Sequence, residues 1–229
     1  MPWKNSWFQI ACFVLLVSGA LLIVDYAHKP SMPSEQQPPA KEQAPAWQAA
    51  CPASEDPGPS TPANSKAVSA ELAQGKAALD RNDYGQAMDW FQKAAAEGNA
   101  DAENNIGALY RDGFGVQFDY TKAMCWFQRS AAQGNAEGER WVGVLYFLGH
   151  GVPQDYVQAI QWYEKAAAQG DATAEYNLGF SYENGLGVPK DETNSGAIAW
   201  YKKAAAQRDP ISEEARQALA RLQAGGTPR

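Results

Sequence analysis

Four tryptophan–aromatic pairs, Trp90-Phe91, Trp126-Phe127, Trp162-Tyr163 and Trp200-Tyr201, return at intervals of 36, 36 and 38 residues. Gly107, Gly143 and Gly179 keep the 36-residue step, and so do Tyr110, Tyr146 and Tyr182. The pairs Gly115-Val116, Gly151-Val152 and Gly187-Val188 follow the same rhythm. So do the tails Lys93 to Gly98, Arg129 to Gly134 and Lys165 to Gly170, with Lys203 to Arg208 closing the set. A fixed period of this size marks an array in which each unit stacks on the next, since one unit cannot bury its apolar face alone.

Each unit reads as two helices. Ala87, Trp90, Phe91, Ala94 and Ala95 lie at i, i+3, i+4, i+7 and i+8, an apolar stripe of helical period. The stripe returns from Ala123 and again from Ala159. Asp83, Asp119 and Asp155 stand just ahead of these second helices, where a carboxylate accepts the unpaired amides of the first turn. In the first helices, Ile106-Gly107, Val142-Gly143 and Leu178-Gly179 repeat. Glycine costs ~1 kcal/mol of helix propensity, so its return at this position implies a neighbour pressed against it. Gly113, Gly149 and Gly185 supply the left-handed residue that ends a helix, and Pro153 and Pro189 stiffen the connection after it. The expected class is all-α, an α-solenoid of antiparallel helix pairs.

Ala174 to Pro189 and Asp155 to Gly170 resemble the two halves of a Sel-1-like repeat (SLR), a relative of the tetratricopeptide repeat (TPR). The resemblance covers three full units, 102–136, 137–172 and 173–209. The unit before them, 68–101, lacks the glycine loop, turns tightly at Asp80 to Tyr84, and is more like a plain TPR. The third unit carries two extra residues around Glu192 to Ser195. Pro210, followed by the apolar face of Ile211, Ala215, Ala218, Leu219 and Leu222, predicts a capping helix over 210–224. The repeat domain as a whole is expected over 66–229.

The resemblance implies a protein–protein adaptor without catalysis, often in the bacterial envelope. In TPR arrays a stripe on the first helices lines a concave groove, and the resemblance implies the same here. Counted from the Ile/Val/Leu-Gly pairs, it comprises Asn104, Ala108 and Arg111, then Arg140, Val144 and Phe147, then Tyr176, Phe180 and Glu183. Val144, Phe147, Leu148, Tyr176 and Phe180 would form an apolar patch beside Arg111 and Arg140, suited to a protein or peptide partner. Equally, these side chains could pack between adjacent units or under the capping helix. Trp141, where the sister units have Asn105 and Asn177, fits either reading.

Two segments precede the array. Trp7 to Val24 is an apolar run of 18 residues, interrupted by Gln9, Ser18 and Gly19, and long enough to cross a bilayer. It is expected as an uncleaved anchor within residues 1–29. Ser18-Gly19-Ala20 leaves a cleaved signal, and hence secretion, as the alternative, although the apolar run continues beyond it. Lys4 and the α-amine place the amino terminus in the cytoplasm and the array in the periplasm. Residues 30–65 hold nine of the fourteen prolines and read as a disordered Pro-rich linker. Cys51 lies within it, either inert or paired with another chain.

Composition narrows the chemistry. Nineteen Lys+Arg against 26 Asp+Glu, a net charge of −7, argues against nucleic acid as a partner. The glycine loops lack the preceding strand and following Lys-Ser/Thr of a phosphate loop. His150 reads as an exposed loop side chain with no second ligand nearby. Cys125 stands where the other units carry Asp89, Gln161 and Ala199, so a partly exposed position is expected for it. No catalytic, metal or cofactor site is expected, and no small-molecule substrate. The expected function is a membrane-anchored interaction scaffold. The alternatives are a cell-wall hydrolase or β-lactam-binding enzyme, or a self-assembling repeat protein.

Overall fold

The computed structural model describes residues 65–190 and 192–224. The expected anchor at 7–24 and linker residues 30–64 lie outside the described residues. The helices are α1 (Ser65–Asp80), α2 (Tyr84–Ala96), α3 (Ala100–Asp112), α4 (Tyr120–Ala132), α5 (Ala136–Leu148), α6 (Tyr156–Ala168), α7 (Ala172–Asn184), α8 (Ser195–Ala206) and α9 (Ile211–Gln223). There is no strand among the described residues. Each odd-numbered helix packs on the even-numbered helix after it, and that helix packs on the first helix of the next unit. This is the expected chain of helix pairs.

The seam of each pair is an aromatic ring seated on a glycine. Phe91, Phe127, Tyr163 and Tyr201 are fully buried. A methyl added to Gly107, Gly143 or Gly179 would sit 2.6–2.7 Å from the ring of Phe127, Tyr163 or Tyr201. Such contact is too close for any side chain, which explains why a poor helix former returns in every unit. The tryptophan of each pair behaves differently. Trp90, Trp162 and Trp200 are half-buried, each under the ammonium of the lysine three residues on, at 4.2, 3.7 and 3.9 Å from the ring centre. In these three pairs one aromatic builds the seam and the other rests on the outside beneath a cation, while Trp126 is buried.

The ends follow the expected chemistry. Asp83, Asp119 and Asp155 accept amides of the first turns of α2, α4 and α6. Gly113, Gly149 and Gly185 are left-handed, with φ of 70°, 70° and 68°. The two-residue insertion is felt locally. Helix α8 is one residue shorter than α6, and its cap, Asn194, is left-handed (φ 54°) and makes no side-chain capping bond. Helix α9 lies against α8 and α7, with Ile211, Ala215 and Ala218 buried, as expected of a cap.

A second ladder ties the two helices of a unit. Gln133, Gln169 and Gln207, at the ends of α4, α6 and α8, donate to Glu103, Glu139 and Glu175 at 2.6, 2.7 and 2.7 Å. These glutamates are buried on the first helices. The 36-residue spacing of Glu103, Glu139 and Glu175 was open to view in the sequence.

Candidate functional site

The first helices α3, α5 and α7 form one row: α3 touches α5 directly, and α9 extends the row by packing on α7. The ten residues expected to line a groove sit on this row, but not as one open surface.

On α3, Asn104 is buried and its Oδ1 has no hydrogen-bond partner. Ala108 is half-buried in a recess of about 280 Å³ bounded by Leu79 on α1 and by Asn105, Leu109 and Asp112 on α3. Arg111 donates through Nε to Asp112 Oδ1 at 2.6 Å, and lays its guanidinium 3.8 Å from the centre of the Trp141 ring. Its Nη1 is buried without a partner.

On α5, Arg140 is buried. Its Nε donates to Asp171 Oδ2 at 3.0 Å, and Asp171 also caps α7 by accepting the Ala174 amide. The guanidinium of Arg140 lies 4.8 Å from the Trp141 ring, and Phe127 stacks on that ring at 5.7 Å. Trp141 is therefore core, 2% exposed, and carries two arginines on its indole. Val144 is buried. Phe147 is buried too, edge-on to Tyr156 at 5.0 Å and to Phe180 at 6.2 Å. Leu148 stays half-buried.

On α7, Tyr176 and Phe180 are half-buried and pack into the cluster of Tyr201, Ala215 and Ala218 beneath α9. Glu183 is buried. It accepts from the Tyr201 hydroxyl at 2.9 Å and from Arg221 Nη2 at 2.7 and 2.8 Å, which fastens α9 to the last unit. Burial and the adjacent carboxylate both push the Tyr201 hydroxyl above its ordinary range.

The expected apolar patch is thus corrected. Asn104, Arg140, Val144, Phe147 and Glu183 are walled in, because the i, i+4, i+7 stripe lies on the flank that meets the following unit, or α9 at the end of the row. Val144, Phe147 and Phe180 form inter-unit packing rather than an open surface. What remains accessible is Ala108 with its recess, Arg111 and Leu148, with parts of Tyr176 and Phe180. Asp171 and Arg221, which hold the buried arginine and glutamate, were not singled out by sequence; one repeats the polar cap of Asn99 and Asn135, and the other gives no periodic signal.

Elsewhere, His150 is half-buried rather than exposed, stacked on Tyr120 at 4.2 Å, and burial pushes its imidazole below the usual range. Cys125, expected to be partly exposed, is buried and disulfide-bonded. No three His, Cys, Asp or Glu among the described residues converge as metal ligands. None of the described helices is long and apolar enough to cross a membrane.

A family model described as Sel1 repeat matches residues 70–99, 100–135, 136–171 and 172–209. The unit read from sequence as a plain TPR is therefore matched as a Sel1 repeat as well. Among solved structures, a protective antigen present in uropathogenic Escherichia coli strains, displaying an SLR fold, is 32% identical with a TM-score of 0.59, over 70% of this chain and 35% of that one. A Sel1 repeat protein from Oxalobacter formigenes is 30% identical with a TM-score of 0.60, over 69% of this chain and 62% of that one. The chain thus spans only part of the length of these relatives. No curated protein matches it.

Proposed function

The chain belongs to the Sel1 repeat family, and on that premise we propose a non-catalytic interaction scaffold, held to the bacterial inner membrane by residues 7–24. Its array stands in the periplasm and takes a protein or peptide partner on the row of first helices. The charge of Lys4 and the amino terminus supports this orientation. A disulfide at Cys125 also fits an oxidising compartment better than a cytoplasm.

One observation carries the binding face. Arg111, half-buried and one turn along α3 from Ala108, is paired with Asp112 and lies over Trp141, yet leaves its Nη1 without a hydrogen-bond partner, and the equivalent positions hold Phe147 and Glu183. Packing explains the landmarks common to all units; it does not explain a cation that keeps an unsatisfied donor one turn from an apolar recess. A partner segment that seats an apolar side chain at Ala108 and offers a carboxylate or carbonyl to Arg111 would satisfy both.

Recovery of partners from envelope extract tests this, with the native full chain compared to Ala108→Arg and Arg111→Glu. Ala108 keeps contact with solvent, so Ala108→Arg should melt within a few degrees of native; Arg111→Glu also gives up the Asp112 pair and the Trp141 contact, and its circular dichroism at the assay temperature checks that the array stays folded. The expected result is loss of the captured protein with either variant. Equal recovery by both would remove the binding face from this row.

A further inference from the structure

The loop after each first helix reaches back to the tyrosine that opens the second helix of the unit before. Phe114 stacks on Tyr84 with ring centres 4.7 Å apart, and His150 stacks on Tyr120 at 4.2 Å. Leu186 holds the same place in the third loop. The next glycine keeps the loop backbone close: a methyl on Gly151 would lie 2.7 Å from the carbonyl carbon of Tyr120. The amides of Phe114, His150 and Leu186 donate to the carbonyls of Leu109, Leu145 and Ser181 at 3.1, 3.0 and 2.9 Å. Three equivalent clasps thus join unit to unit, and only the middle one is closed by a side chain that can take up a proton.

We propose that the loop of His150 is an acid-released clasp: it holds the unit of α5 and α6 onto the start of α4 while the imidazole is neutral, and lets go when the imidazole is protonated. The seat is one that phenyl and isobutyl groups fill in the sister loops, so it suits an uncharged ring. The surrounding titratable and charged groups are engaged elsewhere. On α4, Asp119 accepts the amides of Thr121 and Lys122 at 2.9 and 3.0 Å, and Lys122 holds its ammonium 5.2 Å from the Tyr110 ring centre. Tyr120 is the stacking partner itself. On α5, Tyr146 gives its carbonyl to the Asp155 amide, and the last turn has no basic residue. Within the loop, Asp155 caps α6 through the Gln158 amide. The amino-terminal end of α4, which the loop meets, disfavours a cation. Burial pushes the seated imidazole below the usual range. The open loop therefore binds the proton more tightly than the closed one, and the clasp weakens as pH falls below the ordinary imidazole value of about 6.5. The clasps of Phe114 and Leu186 have no such dependence, so acid loosens one joint of the array and spares its neighbours.

Hydrogen exchange of the full chain in detergent reads the clasp, at about pH 7.5 and about pH 5.5, either side of the ordinary imidazole value, with intrinsic exchange rates corrected for. Opening of residues 149–155 should rise several-fold at the lower pH, while the loops of Phe114 and Leu186 change little. In His150→Phe, which copies the preceding loop, that rise should vanish; His150→Leu copies the following loop and gives the same reading if the phenyl ring does not fit. A rise that persists in the variant, a rise shared by all three loops, or equal opening of 149–155 at both values in the native chain would overturn the proposal. Carbon-13 resonances of the imidazole in the native chain, assigned by their absence from the variant, supply a second reading. Their midpoint should fall below about pH 6.5, and a midpoint at or above it contradicts a seat that prefers the neutral ring.

Discussion

At the scale of single residues, the seam positions make a controlled comparison within one chain. The Tyr163 hydroxyl is fully buried and has no partner, while its sisters Phe91 and Phe127 carry none. Tyr163→Phe should therefore be neutral or stabilising by up to ~1 kcal/mol, whereas Tyr201→Phe removes a bond to buried Glu183 and should cost ~1–2 kcal/mol. In thermal melts the two variants should shift Tm in opposite directions, or the first not at all, by about 2–4 °C per kcal/mol. Glu139 adds a pH dependence. Burial raises its carboxyl, a shift only partly offset by the hydrogen bond from Gln169 and by Lys165. The folded state therefore binds this proton more tightly than the unfolded state, and stability is lost as pH rises from the ordinary carboxylate range through the folded value. Glu139→Gln should raise Tm at pH 7, and the gain should vanish below about pH 4. The ring-on-glycine seats were legible in sequence because they repeat in every unit. The orphaned Tyr163 hydroxyl was not, since a Phe-to-Tyr change looks like an ordinary substitution until the surrounding space is known.

At the scale of elements, the helix ends were the most readable part. Asp83, Asp119 and Asp155 cap as their position before an apolar stripe requires, and Gly113, Gly149 and Gly185 terminate the first helices. Asp155→Ala should cost ~1 kcal/mol, the usual worth of a side-chain cap. Asn194 makes no such bond and is already left-handed, so Asn194→Gly should be neutral or slightly stabilising. Chemical denaturation of the two variants separates them; an equal loss from both would contradict the capping geometry. The faces of the first helices were harder to read. Helical period tells which residues share a stripe, but not what lies beyond it. Val144 and Phe147 look like an apolar surface of their own unit; Tyr156 of the same unit covers part of Phe147, and Phe180 of the next unit turns the rest into an interior. Arg140 looks like a groove cation in the sequence for the same reason, because its partner Asp171 caps α7, the first helix of the next unit.

At the scale of the whole array, each unit depends on its neighbours, so the ends decide where unfolding begins. The described array ends on α9, fixed by Arg221 to Glu183 and by the apolar cluster that also holds Tyr176 and Phe180. Removing residues 210–229 should expose that cluster. Hydrogen exchange should then show protection lost first in α7 and α8, with α3 to α6 retaining theirs; uniform loss would mean that the array unfolds as a single unit. The scaffold reading makes its own claim at this scale: partners meet the row of first helices, not the opposite row. Photo-crosslinking in living envelopes tests that claim most directly, with a photoreactive residue placed at Asn105 or Ala108 on the first-helix row, or at Gln161 or Glu164 on the second. Adducts to a discrete partner from positions 105 and 108, and none from 161 and 164, are the result expected. Adducts confined to the second-helix positions would contradict the account.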